Sequence, residues 1–221
     1  RRALPRTASR PREQQPSRSG NAREWLVSLV GTVLALVLMK WTIGLDWSNQ
    51  PFLFLHAARA STFFVFILFA MRNMAASMRA LGFYSVDPLR RPLLAKTPAE
   101  FWRRYNRWMG EFLHEDVFKP TGGRRHPRRT TMVVFAISGL LHEYVFGIAT
   151  GRLQGYQLLF FLIQGGAVAL TLRIKPVGTA AIVWTGITLA FNVFSSLLFF
   201  ASFQGLGRFY PTGLPAWLPG P

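Results

Sequence analysis

TMVVFAISGLLHEYVFGIA, residues 131–149, is apolar almost throughout, with a histidine near its middle. It lacks the two-residue alternation of a half-buried strand. At about 1.5 Å per residue, a helix of this length nearly crosses a hydrocarbon core of about 30 Å. A bilayer admits only helices or closed barrels, and continuous apolar runs favour the helix. Working outward, similar runs occupy 25–45, 52–71 and 155–172. A fifth lies within 177–203, where a tilt or break is expected near Asn192. The fold expected is all-α: a polytopic transmembrane helical bundle with about five spans.

Composition agrees with that reading. Half of the 221 residues are hydrophobic and only 16% are charged, against roughly a quarter in soluble domains. A disordered, collagen-like or disulfide-stapled chain is excluded, and without cysteine there is no thiolate chemistry. The net charge of +17 first suggests nucleic acid, but no recognised binding motif accompanies it. With a cytoplasmic N-terminus, five spans place seven Arg of 1–24, thirteen Lys/Arg of 72–130, Arg173 and Lys175 on the cytoplasmic side. Arg152 and Arg208 remain on the far side, and Lys40 and Arg59 fall inside spans. This asymmetry is the positive-inside pattern of a multi-pass protein. Residues 1–24 read as a disordered basic tail, 25–210 as the membrane domain and 211–221 as a Pro/Gly-rich C-terminal tail.

The connection 72–130 is too long and too patterned for a linker. Thr97, Pro98 and Glu100 form a helix start, with Thr97 as the cap. A helix over 98–117 would be amphipathic and interfacial. Phe101, Tyr105, Trp108 and Phe112 form one stripe, widened by Trp102, Met109 and Leu113, with Arg103, Arg104 and Arg107 opposite. Asn106 falls at the edge of the apolar arc, where an amide needs partners. It is either a helix-packing amide or a positioned donor in a site.

His142 carries most of the functional information. An ionisable group at that depth costs at least a few kcal/mol and is a functional hypothesis by default. Ser138 and Gly139 share its face one turn earlier, leaving room beside the ring. An apolar surround favours the neutral imidazole, the form a general base needs, although an interhelical hydrogen bond would also account for a buried His. Glu143 points about 100° away from His142 and is expected to pair with another helix, Arg59 being one candidate. No metal-ligand spacing, phosphate loop or nucleophile elbow is present, and Gly165-Gly166 reads as close helix packing.

TPAEFWRRYNRWMGEFLHEDVFKP followed by VVFAISGLLHEYVFGI resembles the signature of membrane-bound O-acyltransferases, over about 97–150 and more weakly over 151–210. The wax synthase-like branch is the nearest, with kinship to diacylglycerol and sterol acyltransferases. Those relatives usually carry a His four residues after the Asn, where this chain has Gly110. The family commonly has more spans before the motif pair than the two counted here. A minimal member, a fragment and a partner-dependent half all fit that count.

The resemblance implies an acyl-CoA-dependent O-acyltransferase that needs no cofactor and moves a fatty acyl group to a lipid hydroxyl, with a long-chain alcohol as the favoured acceptor. It makes His142 the general base and Asn106 its catalytic companion. Phe101, Trp102, Ser138, Gly139 and Glu143 become the expected substrate-binding residues, no metal is expected, and the surrounding partners are membrane lipids. Two other readings stand beside it: a transporter or proton relay using His142 and Glu143, and a catalytically inactive homologue.

Overall fold

The computed structural model describes residues 14–123, 125–205, 209–210, 213–216 and 218. Among the described residues seven α-helices follow one another: α1 Arg18–Gly44, α2 Phe52–Ala80, α3 Pro98–Arg104, α4 Arg107–Leu113, α5 Pro127–Thr150, α6 Tyr156–Thr171 and α7 Gly178–Ala201. A 3-10 turn, Pro92–Leu94, precedes α3, and a π-helical turn, His114–Phe118, follows α4. Among the described residues α1, α2, α5 and α7 are long and apolar enough to cross a membrane. The remaining expected span, α6, has 16 residues, or about 24 Å of rise. The protein is a polytopic helical bundle.

Three boundaries differ from expectation. α1 starts at Arg18, inside the stretch expected to be a tail, because Ser17 caps it by accepting from the Gly20 N–H at 3.1 Å. Residues 1–13 and most of 211–221 lie outside the described residues. α7 runs through Asn192 unbroken.

The third difference matters most. The helix expected over 98–117 is interrupted at Asn106, whose backbone is left-handed (φ 46°, ψ 57°). Asparagine tolerates that conformation better than most L-residues, and its side chain then caps α4 through the Met109 N–H at 3.4 Å. The preceding chain occupies backbone groups around the break. The Arg90 N–H donates to the Arg104 carbonyl at 2.9 Å, and the Arg107 N–H donates to the Pro88 carbonyl at 3.0 Å. The kink also divides the aromatic stripe. Phe101 is buried while Phe112 and Met109 are exposed.

α1 packs along α2, α5 along α6, and α6 against α7, with α2 touching α7. Close approach of α5 and α6 depends on two glycines. A Cβ at Gly139 would meet Leu158 Cα and Phe161 Cβ at 3.1 Å, and one at Gly165 would meet Phe135 Cβ at 2.6 Å. Small residues serve this purpose in bilayers, where lipid competes equally for apolar surface. Thr97 caps α3 as expected, accepting from the Glu100 N–H at 3.2 Å. The Ala99 N–H then donates to Thr171 Oγ1 at 3.2 Å, and Thr188 Oγ1 to the Lys96 carbonyl at 3.2 Å. These bonds pin the start of α3 to the end of α6 and the middle of α7.

A polar knot joins α2 to the chain beyond α7. His56 and Arg59 are each 1% exposed. His56 Nε2 lies 2.7 Å from the Val193 carbonyl, which can only accept, so in the neutral ring Nδ1 accepts from the Tyr210 hydroxyl at 2.7 Å. Arg59 donates to the Phe209 carbonyl and, at 3.2 Å, to the Ile43 carbonyl at the end of α1. Arg59 therefore caps backbone carbonyls, and the expected pairing with Glu143 does not form. Phe200 stacks on Phe209 with ring centroids 4.4 Å apart, completing this end of the core.

Candidate active site

A cavity of about 1000 Å3 lies among α2, the α3–α4 kink, α5, α6 and α7. Phe101, Trp102, Asn106, Ser138 and His142 all line it, so five of the seven expected site residues share one space. Gly139 does not; its missing side chain is spent on contact with α6. Glu143 does not either. Its Oε1 accepts from the Gln154 and Gly155 N–H groups, each at 2.6 Å, and its Oε2 from Gln157 at 3.0 Å and Leu158 at 3.3 Å. The amides that start α6 have no intrahelical acceptors, and a carboxylate there also complements the helix dipole. This corrects the expectation of a substrate-facing Glu143.

His142 is half-buried, with its ring 4.3 Å from the Phe161 ring and 6.4 Å from that of Phe199. Nδ1 lies 2.8 Å from the Ser138 carbonyl oxygen. A carbonyl cannot donate, so Nδ1 carries the proton and the neutral ring has its lone pair on Nε2. α5 thus fixes the tautomer with its own backbone. The arrangement supplies a proton acceptor held by packing and one hydrogen bond.

Two further amides, on α6 and α7, belong to the polar lining. Trp102 Nε1 donates to Gln164 Oε1 at 2.9 Å. An indole N–H only donates, so the Gln164 carbonyl is committed and its Nε2 donates onward, to Ser195 Oγ at 2.9 Å and Asn192 Oδ1 at 3.3 Å. Asn192 must therefore accept through Oδ1. Its Nδ2 is buried and has no partner among the described residues, and Asn192 is one of the residues lining the cavity. An orphaned buried donor is costly, by about 1–3 kcal/mol, and is a place where a ligand oxygen would be welcome. The sequence marks Asn192 only as a point of tilt or break and does not single out Gln164 beside the Gly165-Gly166 pair. Amides within apolar spans were the available signal.

The kinked segment supplies the opposite wall. Asn106 Oδ1 is held by the Met109 N–H, which leaves the Nδ2 group to face other partners. Tyr105 stacks on Phe101 and Phe64, and burial pushes its phenol up to about 12, keeping it neutral. Among the described residues no group of three or more His, Asp or Glu could hold a metal ion. The His142 imidazole and the amides lie on the apolar side of the chamber, whose α3–α4 side also carries Arg103, Arg107, Glu111 and His114. An imidazole beside amide donors suits proton abstraction and stabilisation of a developing oxyanion.

Neither a curated protein nor a solved structure matches the chain. The family model of the membrane-bound O-acyltransferases matches residues 25–200, which include α2 to α6, all but the last residue of α7 and α1 from Trp25 onward. An apolar bundle with an intramembrane imidazole and a chamber large enough for an acyl chain is in keeping with that match. The chain belongs to the membrane-bound O-acyltransferase family, a group of integral membrane acyltransferases.

Proposed function

We propose that this acyltransferase moves a fatty acyl group from acyl-CoA to a lipid hydroxyl, with a long-chain alcohol as the favoured acceptor and a wax ester as the product. His142 Nε2 takes the hydroxyl proton as the acceptor oxygen attacks the thioester carbonyl carbon. The carbonyl oxygen becomes an oxyanion, for which the Nδ2 groups of Asn106 and Asn192 are the available amide donors. The tetrahedral intermediate collapses, the C–S bond breaks, and the imidazolium returns its proton to the leaving CoA sulfur. Atoms and charge balance without a cofactor.

The observation that carries this reading is the His142 tautomer: Nδ1–H is committed to the Ser138 carbonyl, and the ring lines the chamber. Phe101, Trp102 and Ser138 line the same chamber as substrate-contacting residues. A relay through His142 and Glu143 loses support, since both Glu143 oxygens are held by backbone N–H groups away from the chamber. The positive-inside distribution favours a cytoplasmic N-terminus, which puts the Arg-rich connection on the side where CoA is present.

The test is ester formation by membranes carrying this chain, supplied with labelled long-chain acyl-CoA and a panel of fatty alcohol, diacylglycerol and sterol. A wax ester that disappears in His142→Ala supports the proposal. An ester from another acceptor overturns the alcohol assignment, and turnover that survives His142→Ala overturns the mechanism.

A further inference from the structure

Two sets of basic side chains outside the apolar spans contrast with each other. Arg79, Arg104, Arg107 and Lys119 each meet a carboxylate, from Glu24, Glu100, Glu111 and Glu115 respectively. Arg128, Arg129 and Arg173 meet none among the described residues, and all three are exposed. These three are brought together by the fold. With His126, Pro127 and Leu172 they line a second cavity, of about 540 Å3, at the start of α5 and just beyond the end of α6. Unpaired like charges at close quarters repel one another, so their assembly around a cavity costs free energy that an anion would recover.

The position of this cavity selects the kind of anion. α5 is long and apolar enough to cross a membrane, and α6 is packed along it. Their ends at Pro127 and Thr171 therefore lie where an apolar core gives way to headgroups. The cavity wall is mixed. Pro127 and Leu172 offer apolar surface, and Arg128, Arg129 and Arg173 line the cavity beside them. A small hydrated ion has no use for the apolar wall, whereas a phospholipid presents a phosphate and glycerol beside its chains. Basic pockets between transmembrane helices are suited to anionic headgroups. Guanidinium groups also fit phosphate oxygens with paired hydrogen bonds.

We propose that Arg128, Arg129 and Arg173 form a binding site for the phosphate headgroup of an anionic phospholipid. Leu172 lines both this pocket and the larger chamber, so an occupant here would brace the wall shared by the two. The site is independent of the acyl-transfer reading, and its test reads binding and not turnover.

The full chain would be purified in detergent and given phosphatidylglycerol or phosphatidylcholine, with lipid retention read by native mass spectrometry and thermal stability measured alongside. Phosphatidylglycerol should be retained several-fold more than phosphatidylcholine and should raise Tm by a few degrees. The Arg128→Ala/Arg129→Ala/Arg173→Ala variant should lose that preference. A charge-matched Arg23→Ala/Arg72→Ala/Arg152→Ala variant should keep it. Should the triple variant fail to insert, Arg173→Gln alone should weaken the preference. Equal retention of the two lipids, persistence of the preference in the pocket variant, or equal loss in both triple variants would overturn the site. A third arm adds free CoA. Protection by CoA through these arginines, with none from phosphatidylglycerol, would assign the pocket to the acyl donor and overturn the lipid proposal.

Discussion

The carboxylate of Glu143 on α5 accepts from the Gln157 backbone N–H in the first turn of α6 at 3.0 Å, and through its two oxygens it engages four amides of that helix start. It is buried, 8% exposed. Glu143→Ala would leave those amides without acceptors in an apolar setting, where each unpaired group costs about 1–3 kcal/mol. The expected outcome is a loss of several kcal/mol, seen as a lower Tm and poorer recovery of inserted protein. Glu143→Gln keeps one acceptor oxygen and should lose less. Wild-type stability in Glu143→Ala would show that α6 does not depend on this cap.

His142 is the neighbour of Glu143 but serves a separate purpose, with one ring nitrogen bound to its own helix and the other belonging to the chamber. His142→Ala removes a polar group from an apolar span, so insertion and thermal stability should be retained. Acyl transfer should fall by at least about 100-fold, the lower range for loss of a general base. Comparable turnover in variant and wild-type membranes of equal protein content would remove His142 from the chemistry.

Asn192 and Gln164 should differ in how they fail. Asn192 lines the chamber with its Nδ2 unpartnered among the described residues, and Gln164, held by Trp102, fixes which of its amide atoms accepts. Asn192→Leu should lower kcat by roughly 10- to 100-fold with little change in KM, as for a donor used mainly in the transition state. Gln164→Leu should give a smaller kcat loss, whereas Gln164→Glu, which can no longer donate to Asn192 when ionised, should approach the Asn192→Leu value. Equal KM effects in all three would mean that the amides shape the chamber without acting on the reacting carbonyl.

The parts of this fold that the sequence made legible are those set by local chemistry. Apolar length marked the spans, the Thr97–Pro98–Glu100 pattern marked the start of α3, and an imidazole in mid-span marked His142. Partnerships between distant residues were not legible. Nothing local to Glu143 distinguishes backbone amides of α6 from Arg59 as its partner, because both satisfy the same carboxylate. The break at Asn106 was hidden for a similar reason. Periodicity continues through it, and the backbone groups of Arg90 and Pro88 that occupy the interrupted turn come from outside any sequence window.

Glu100 ties the start of α3 to pH. Burial alone would raise its carboxyl, but the Lys96 N–H at 2.8 Å and the Arg104 and Arg103 guanidiniums outweigh that and hold it below its ordinary value. A carboxyl depressed in the folded state adds stability above its unfolded pKa and loses it as pH falls through the lower folded value. Acidification from neutral toward pH ~4 and below should therefore loosen α3. Glu100→Gln should lower Tm at neutral pH and remove this part of the acid dependence. Parallel Tm–pH curves for variant and wild type would show that other carboxyls account for it.

Asn106 holds two duties that a single alanine substitution would confuse: it bends the chain at φ 46° and it presents an amide to the chamber. Both substitutions remove the Oδ1 cap on α4, but glycine accepts the left-handed backbone, whereas alanine also meets a penalty of about 1–2 kcal/mol there. Asn106→Gly should therefore preserve stability better than Asn106→Ala. If the amide works on substrate, both variants should lose turnover together, despite their different Tm values. Near-normal turnover in Asn106→Gly with a deficit confined to Asn106→Ala would mean that asparagine is required only to make the bend, leaving Asn192 as the remaining amide donor for the oxyanion.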